Sequence, residues 1–211
     1  MIQFSQTILG PLSNNVYLAV DEKTGEGLVV DPTAYTEDIK ETLLAMGMKK
    51  LKYILLTHGH YDHIFGVPEL KAQFPEAQVV ISHIDSACLS DARLSLAAKH
   101  GIDQKPVKAD IEVYNANSLD FGETKILVME TPGHTKGSVV YLLDEVMFSG
   151  DTLFAGSIGR TDFETSDPEA MKKSIAKLKA IPQNYNVLPG HGPLTILDIE
   201  KKTNPYFKEE A

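Results

Sequence analysis

Thr57-His58-Gly59-His60-Tyr61-Asp62-His63 follows the apolar, strand-like run Tyr53-Ile54-Leu55-Leu56 and places four strong transition-metal ligands within six residues. Neutral imidazole is the commonest protein ligand for zinc, copper, iron and nickel. A carboxylate beside it supplies the oxygen donor and charge that a catalytic centre uses. The chain has seven histidines, and three of them stand here. Three exposed loop histidines would be the ordinary alternative, but the spacing repeats its logic further along the chain.

Downstream lie Pro132-Gly133-His134-Thr135, Ser149-Gly150-Asp151-Thr152 and Pro189-Gly190-His191-Gly192. Each follows apolar or β-prone residues (126–129, 146–148 and 186–188), so each donor is expected where a strand gives way to a loop, the usual place for chemistry on a rigid scaffold. The candidate ligands are His58, His60, Asp62, His63, His134, Asp151 and His191. That set exceeds one four-coordinate zinc and suits two neighbouring metals, with one carboxylate bridging and a solvent position open. Asp62 and Asp151 are the candidate catalytic carboxylates. Asp151 could instead cap a turn, as aspartate commonly does. His83 and His100 fall outside the pattern and are expected in ordinary structural roles.

At 211 residues the chain fits one domain over 1–211, and 43% hydrophobic with 23% charged residues is a globular composition. A formal charge of -9 argues against nucleic acid, whose binding rests on clustered Lys and Arg, and favours a small-molecule partner. The single cysteine, Cys88, excludes an intrachain disulfide, and its neighbours Ser86-Ala87 and Leu89 suit a packed segment. No basic-then-apolar leader opens the chain and no apolar run reaches the ~20 residues of a membrane helix, so a cytoplasmic protein off the membrane is expected. Oligomeric state is not written in the sequence.

Strands are expected at 3–9, 15–20 and 27–30, with a polar turn over 21–26. A helix follows over 36–46, stopped by Gly47, then a strand over 53–56. A helix over 67–74 and a strand over 78–81 come next. The stretch 85–110 reads as one or two short helices within 89–100 and a loop over 101–106, and no chemistry is assigned to it. Strands return at 118–121, 125–130, 138–142, 146–148 and 186–188. Pro168 to Ala180 reads as an amphipathic helix behind an Asp167 cap, and a short helix over 196–204 closes the chain. The pattern is α/β with short strands.

The order H-x-H-x-D-H, lone His, Gly-Asp, Gly-His resembles the metallo-β-lactamase superfamily over nearly the whole chain. The wording Gly150-Asp151-Thr152-Leu153-Phe154, Gly159-Arg160-Thr161-Asp162-Phe163 and Gly190-His191-Gly192-Pro193 is similar to its glyoxalase II-like (hydroxyacylglutathione hydrolase) branch. The resemblance implies a four-layer αββα sandwich of two mixed sheets. It implies His58, His60 and His134 on a first metal, Asp62, His63 and His191 on a second, and Asp151 between them. Two divalent ions are then the cofactors, zinc first, with iron or manganese as alternatives. Asp31, in Val30-Asp31-Pro32, resembles the family aspartate that hydrogen-bonds a metal-bound histidine, with a turn or cap as its ordinary role. Arg160 is a candidate contact for an anionic part of the substrate, or else a salt-bridge partner of Asp162.

Two cations facing one water generate hydroxide near neutral pH and polarise a carbonyl, which is acyl transfer to water. A thiolate, conjugate base of a thiol with pKa ~8.5, departs with little protonation. Thioester hydrolysis, with S-lactoylglutathione as the family's substrate, is therefore the expected activity. Fuller glyoxalase II enzymes carry a C-terminal helical domain, whereas 20 residues follow His191 here, so loose thiol recognition is expected. The rival readings are a persulfide dioxygenase with one iron, a lactonase or other ester hydrolase on the same core, and a non-catalytic metal-binding module.

Overall fold

A computed structural model describes residues 1–208. The first half of the chain builds one sheet, in chain order β1 (Ile2–Leu9), β2 (Asn14–Asp21), β3 (Glu26–Val30), β4 (Lys50–Leu55), β5 (Gln78–Ser82) and β6 (Ile111–Val113). β1, β2 and β3 pair antiparallel, and β3 to β6 pair parallel. The second half supplies β7 (Ser118–Phe121), β8 (Thr124–Glu130), β9 (Val139–Leu143), β10 (Val146–Gly150), a small hairpin of β11 (Leu153–Phe154) and β12 (Ser157–Ile158), β13 (Asn186–Pro189) and β14 (Thr195–Ile196). Its large sheet has the order β14-β13-β10-β9-β8-β7, antiparallel except where β13 runs parallel to β10.

Alternation along each strand divides the apolar residues into three cores. Tyr17, Ala19, Leu28 and Leu55 of the first sheet face Phe121, Ile126, Tyr141 and Phe148 of the second, and these side chains fill the space between the sheets. Val16, Leu18 and Val20, one residue out of phase in β2, point the other way. There they meet Ile39 and Leu43 of α1 (Glu37–Ala45), Ile64 of α2 (Tyr61–Ile64), and Val67 and Leu70 of α3 (Val67–Gln73). The outer face of the second sheet is covered by Met171, Ile175 and Leu178 of α4 (Pro168–Ala180) and by Leu197 of α5 (Leu197–Thr203). Helix, sheet, sheet, helix is the expected four-layer sandwich of two mixed sheets. Strands buried on both faces are why β2 reads as an almost unbroken apolar run.

α1 ends at Gly47, whose φ of +88° suits glycine. α4 starts as the sequence predicts: the Asp167 carboxylate accepts from Glu169 N and Ala170 N, and Pro168 opens the first turn. The expectation for 89–100 needs correction. That stretch forms only two 3-10 turns, Ser86–Leu89 and Ala98–His100, joined by irregular chain. Leu96 at φ +67° interrupts any helix there. The short strand β6, the turn α2 and the β11–β12 hairpin were not expected. Among the described residues no helix is long and apolar enough to cross a membrane.

Candidate metal centre

All seven expected donors stand at one end of the sandwich, where strands of both sheets finish. β4 ends at Leu55, and the next eight residues carry His58 and His60 on an extended loop and Asp62 and His63 on the single turn α2. The second sheet sends His134 from the β8–β9 loop, Asp151 from the end of β10 and His191 from the end of β13. Parallel pairing sets Gly150 against Pro189, and Gly190 N donates to Gly150 O at 2.8 Å, so Asp151 and His191 leave the sheet side by side. Glycine is required at that crossing. A Cβ on Gly190 would stand 2.3 Å from Asp151 Oδ1 and 2.6 Å from His63 Cε1.

Two groups of donors form. His58, His60 and His134 make one, with His60 Nδ1 2.8 Å from His134 Nε2. Asp62, His63 and His191 make the other, with His63 Nε2 3.3 Å from His191 Nε2 and each 3.3–3.4 Å from Asp62 Oδ2. Asp151 faces both: Oδ2 is 3.4 Å from His134 Nε2, and Oδ1 is 3.5 Å from His63 Nε2. Asp31, His58 and His63 are also close enough to share an ion. Asp31 is already engaged, however, accepting from Thr57 N (2.8 Å) and Thr57 Oγ1 (2.6 Å) and lying 3.0 Å from His63 Nδ1.

These contacts fix which ring nitrogens are free. Thr57 Oγ1 gives its proton to Asp31, so at 3.1 Å it accepts from His58 Nδ1–H and leaves His58 Nε2 as a bare lone pair. His134 Nδ1 donates to Arg160 O at 2.8 Å, His63 Nδ1 to Asp31, and His191 Nδ1 to Leu12 O at 3.2 Å. Each ring therefore turns Nε2 to the common centre, as metal-bound histidines do. His58 Nε2 and Asp151 Oδ1 are buried without any hydrogen-bond partner. Orphaned acceptors of that kind are costly unless something binds them. Imidazole nitrogens converging beside two carboxylates are a donor set for divalent cations, so the residues fit the metal pair that the sequence implied.

The charge states differ between the two donor groups. Burial, with the neighbouring imidazoles adding to it, holds His58 well below its ordinary value and brings His60 to about 3, so both are neutral ligands at neutral pH. Burial works against charge on His63 as well, but the carboxylates of Asp62, Asp151 and Asp31 outweigh it and raise His63 to about 10. Asp62, despite burial, is held below the carboxylate range by His63 and by its hydrogen bonds to His191 and Asn14.

Sequence reasoning missed Asp85 and Asn14. Asp85, buried, accepts from Gly59 N (2.9 Å) and Thr135 Oγ1 (2.7 Å) and so ties the His58–His60 loop to the His134 loop. Asn14 Nδ2 donates to Asp62 Oδ2 at 2.8 Å. Nothing local in the sequence marks either residue. Cys88 is structural, as expected. It packs against Gly59, and burial, with Asp85 nearby, pushes its thiol up to about 12. Arg160 lies at the rim with its guanidinium paired to Asp162 (2.8 and 2.9 Å) and 4.4 Å from the centre of the Phe163 ring.

Above Asp151, His60 and His191 opens a cavity of about 610 Å³ with apolar walls from Leu12, Leu96, Phe154 and Phe163. The model for the metallo-beta-lactamase superfamily matches residues 9–191. The chain belongs to the metallo-beta-lactamase superfamily. A probable metallo-hydrolase of Streptococcus pyogenes is 33% identical over 98% of this chain and 91% of its own length. The hydroxyacylglutathione hydrolase GloC of Haemophilus influenzae is 30% identical over 90% of this chain and 91% of its own. Among solved structures, the BLEG-1 B3 metallo-beta-lactamase superposes with a TM-score of 0.90 at 34% identity, covering 98% of this chain and all of that one. A di-iron-bound form of TTHA1623 superposes at 0.81 with 33% identity, covering 96% and 99%. Within this superfamily the described residues carry the histidine and aspartate groups of a metallo-hydrolase.

Proposed function

We propose that the protein is a dinuclear metal-dependent thioesterase that cleaves S-lactoylglutathione or a related small acyl thioester. The observation that carries this reading is the meeting of two donor groups at Asp151, on the floor of an open cavity. His58, His60 and His134 would hold one ion, Asp62, His63 and His191 the other, and Asp151 both. When bound, two divalent ions supply Lewis acidity toward a carbonyl oxygen and lower the pKa of water toward neutrality.

The chain's own residues do the rest. Asp31, Leu12 O and Arg160 O hold three imidazoles in one tautomer, so the donors stand oriented before any ion arrives. Leu12, Leu96, Phe154 and Phe163 exclude water from the flanks of a bound acyl group. Departure of a thiolate asks for little proton donation, which suits a floor made wholly of metal-ligand side chains. GloC, at 30% identity over most of both chains, supports a thioester substrate, and the similarity to the BLEG-1 metallo-beta-lactamase is the reason a β-lactam belongs among the test substrates.

Metal analysis of the purified protein, with assays of S-lactoylglutathione hydrolysis, β-lactam hydrolysis and glutathione-persulfide-dependent oxygen uptake, tests the reading. Two metals per chain with thioester turnover is the expected result. One iron with oxygen uptake would make it a dioxygenase, and β-lactam turnover without thioester turnover would assign it the other hydrolase chemistry.

A further inference from the structure

The stretch 91–104 forms one wall of the cavity, and it is built to stay in place. Tyr61 N, next to Asp62, donates to Ser95 O at 2.9 Å, and Ala97 and Ser95 are fully buried. Gln104 Nε2 donates to Cys88 O at 2.7 Å and its side-chain oxygen meets the Ser95 hydroxyl. This platform, fixed to the turn that carries Asp62 and His63, ends in the 3-10 turn Ala98–His100. It presents Lys99 and His100 to the cavity, with the His100 ring 5.1 Å from the Tyr61 ring.

Three basic side chains thus border the opening of an otherwise acidic protein: Lys99, His100 and Arg160. Their commitments differ. Both oxygens of Asp162 bind the Arg160 guanidinium, which also lies against Phe163, so most of its hydrogen-bonding capacity on that side is used. Lys99 has no hydrogen bond or ion pair from its ammonium to any described residue. Its charge reaches Asp162, whose carboxyl is held low first by Arg160 and also by Lys99. Lysine is a compact point charge on a flexible stem and carries free donors to any anion that enters. The acidic groups facing the cavity are the floor carboxylates Asp62 and Asp151, which face the metal donors.

We infer that Lys99, on a platform braced by Tyr61 and His100, binds a free carboxylate of the substrate at the cavity mouth, so that the protein selects acyl thiols bearing an anionic group. The inference rests on the thioesterase reading for the identity of the reacting group, but the anion subsite is a property of the wall. Cations at the mouth of a cleft in an acidic chain also concentrate anionic ligands there.

The test uses the full chain loaded with zinc. 3-Mercaptopropionate and 2-mercaptoethanol offer the same thiol and differ in the carboxylate, and calorimetric titration gives the preference for the acid. Wild type should favour 3-mercaptopropionate, and Lys99→Ala should reduce that preference about fivefold, the upper end for an exposed ion pair, with Lys99→Arg restoring it. The S-acetyl derivatives of the same two thiols should show the matching change as KM for the anionic ester, with little change in kcat. An equal affinity of wild type for the two thiols, or a preference untouched by Lys99→Ala, overturns the inference. Hydrolysis of neither ester, with a Lys99-dependent thiol preference, defeats the thioesterase reading and leaves the anion subsite standing.

Discussion

The carboxylate of Asp85 accepts the amide hydrogen of Gly59, 26 positions earlier and between two metal-ligand candidates, at 2.9 Å. With its second bond to Thr135 Oγ1 it fixes the spacing of His58, His60 and His134. Asp85→Ala leaves Gly59 N–H and the Thr135 hydroxyl without this acceptor, at roughly 1–3 kcal/mol for each group so exposed. A loss of about 3 kcal/mol in denaturant unfolding is expected, together with weaker metal retention. Unchanged stability and metal content would make the contact incidental.

Asp85 also predicts a pH dependence. Burial raises its carboxyl above the usual 3.8, although its hydrogen bonds oppose the shift. A raised acid binds more protons folded than unfolded, so its contribution favours folding at low pH. That contribution is lost as pH rises from the unfolded value through the folded one. Asp85→Asn removes the titration and keeps one acceptor. The stability of metal-free wild type, measured relative to Asp85→Asn, should therefore fall as pH is raised upward from about 3.8; a flat difference contradicts the assignment.

Asp151→Ala removes the carboxylate that faces both donor groups. Metal content after full loading should drop from two per chain to below one. Activity should fall by more than the ~100-fold typical of losing an outer hydrogen-bond partner. Retained stoichiometry and rate would show that the two groups do not share it.

Gly190→Ala probes the same place sterically. Its Cβ would overlap Asp151 Oδ1 and His63 Cε1, so one of them must move. The expected result is a folded protein, destabilised by about 1–3 kcal/mol as overpacked sites are, whose metal loss resembles that of Asp151→Ala. Full metal binding in this variant would mean that the strand-end crossing is looser than the structure has it.

Asp31→Ala leaves the donor list intact but frees the His63 ring and uncaps Thr57 N and Oγ1. Metal affinity should fall about 10–100-fold, read by competition with a chelator. An unchanged affinity would return Asp31 to the role of a turn residue, for which its φ of +49° also suits it.

The grouping of the candidate donors was legible in the sequence because each stands in a short motif after an apolar strand, a pattern contained in a few consecutive residues. The strands and α4 were legible for the same reason, being local in period and capping. Asp85 was not, since its partners lie 26 and 50 positions away and its own neighbourhood reads as an ordinary turn. Nor was the platform. It is held by Ser95 O and Gln104, contacts that no periodicity announces, and it replaces the expected helix with 3-10 turns. Arg160 could be read only as one of two alternatives, and the pairing with Asp162 that the sequence allowed is present.

The donors leave the ends of β4, β8, β10 and β13, whereas one lip of the mouth belongs to a single excursion between β5 and β6. On the Lys99 proposal, reactivity and choice of substrate sit on different stretches of chain. A change in the excursion between 86 and 106 that kept its seat on Tyr61 and Cys88 would then alter selectivity at one lip of the opening and leave the strand ends beneath it as they are.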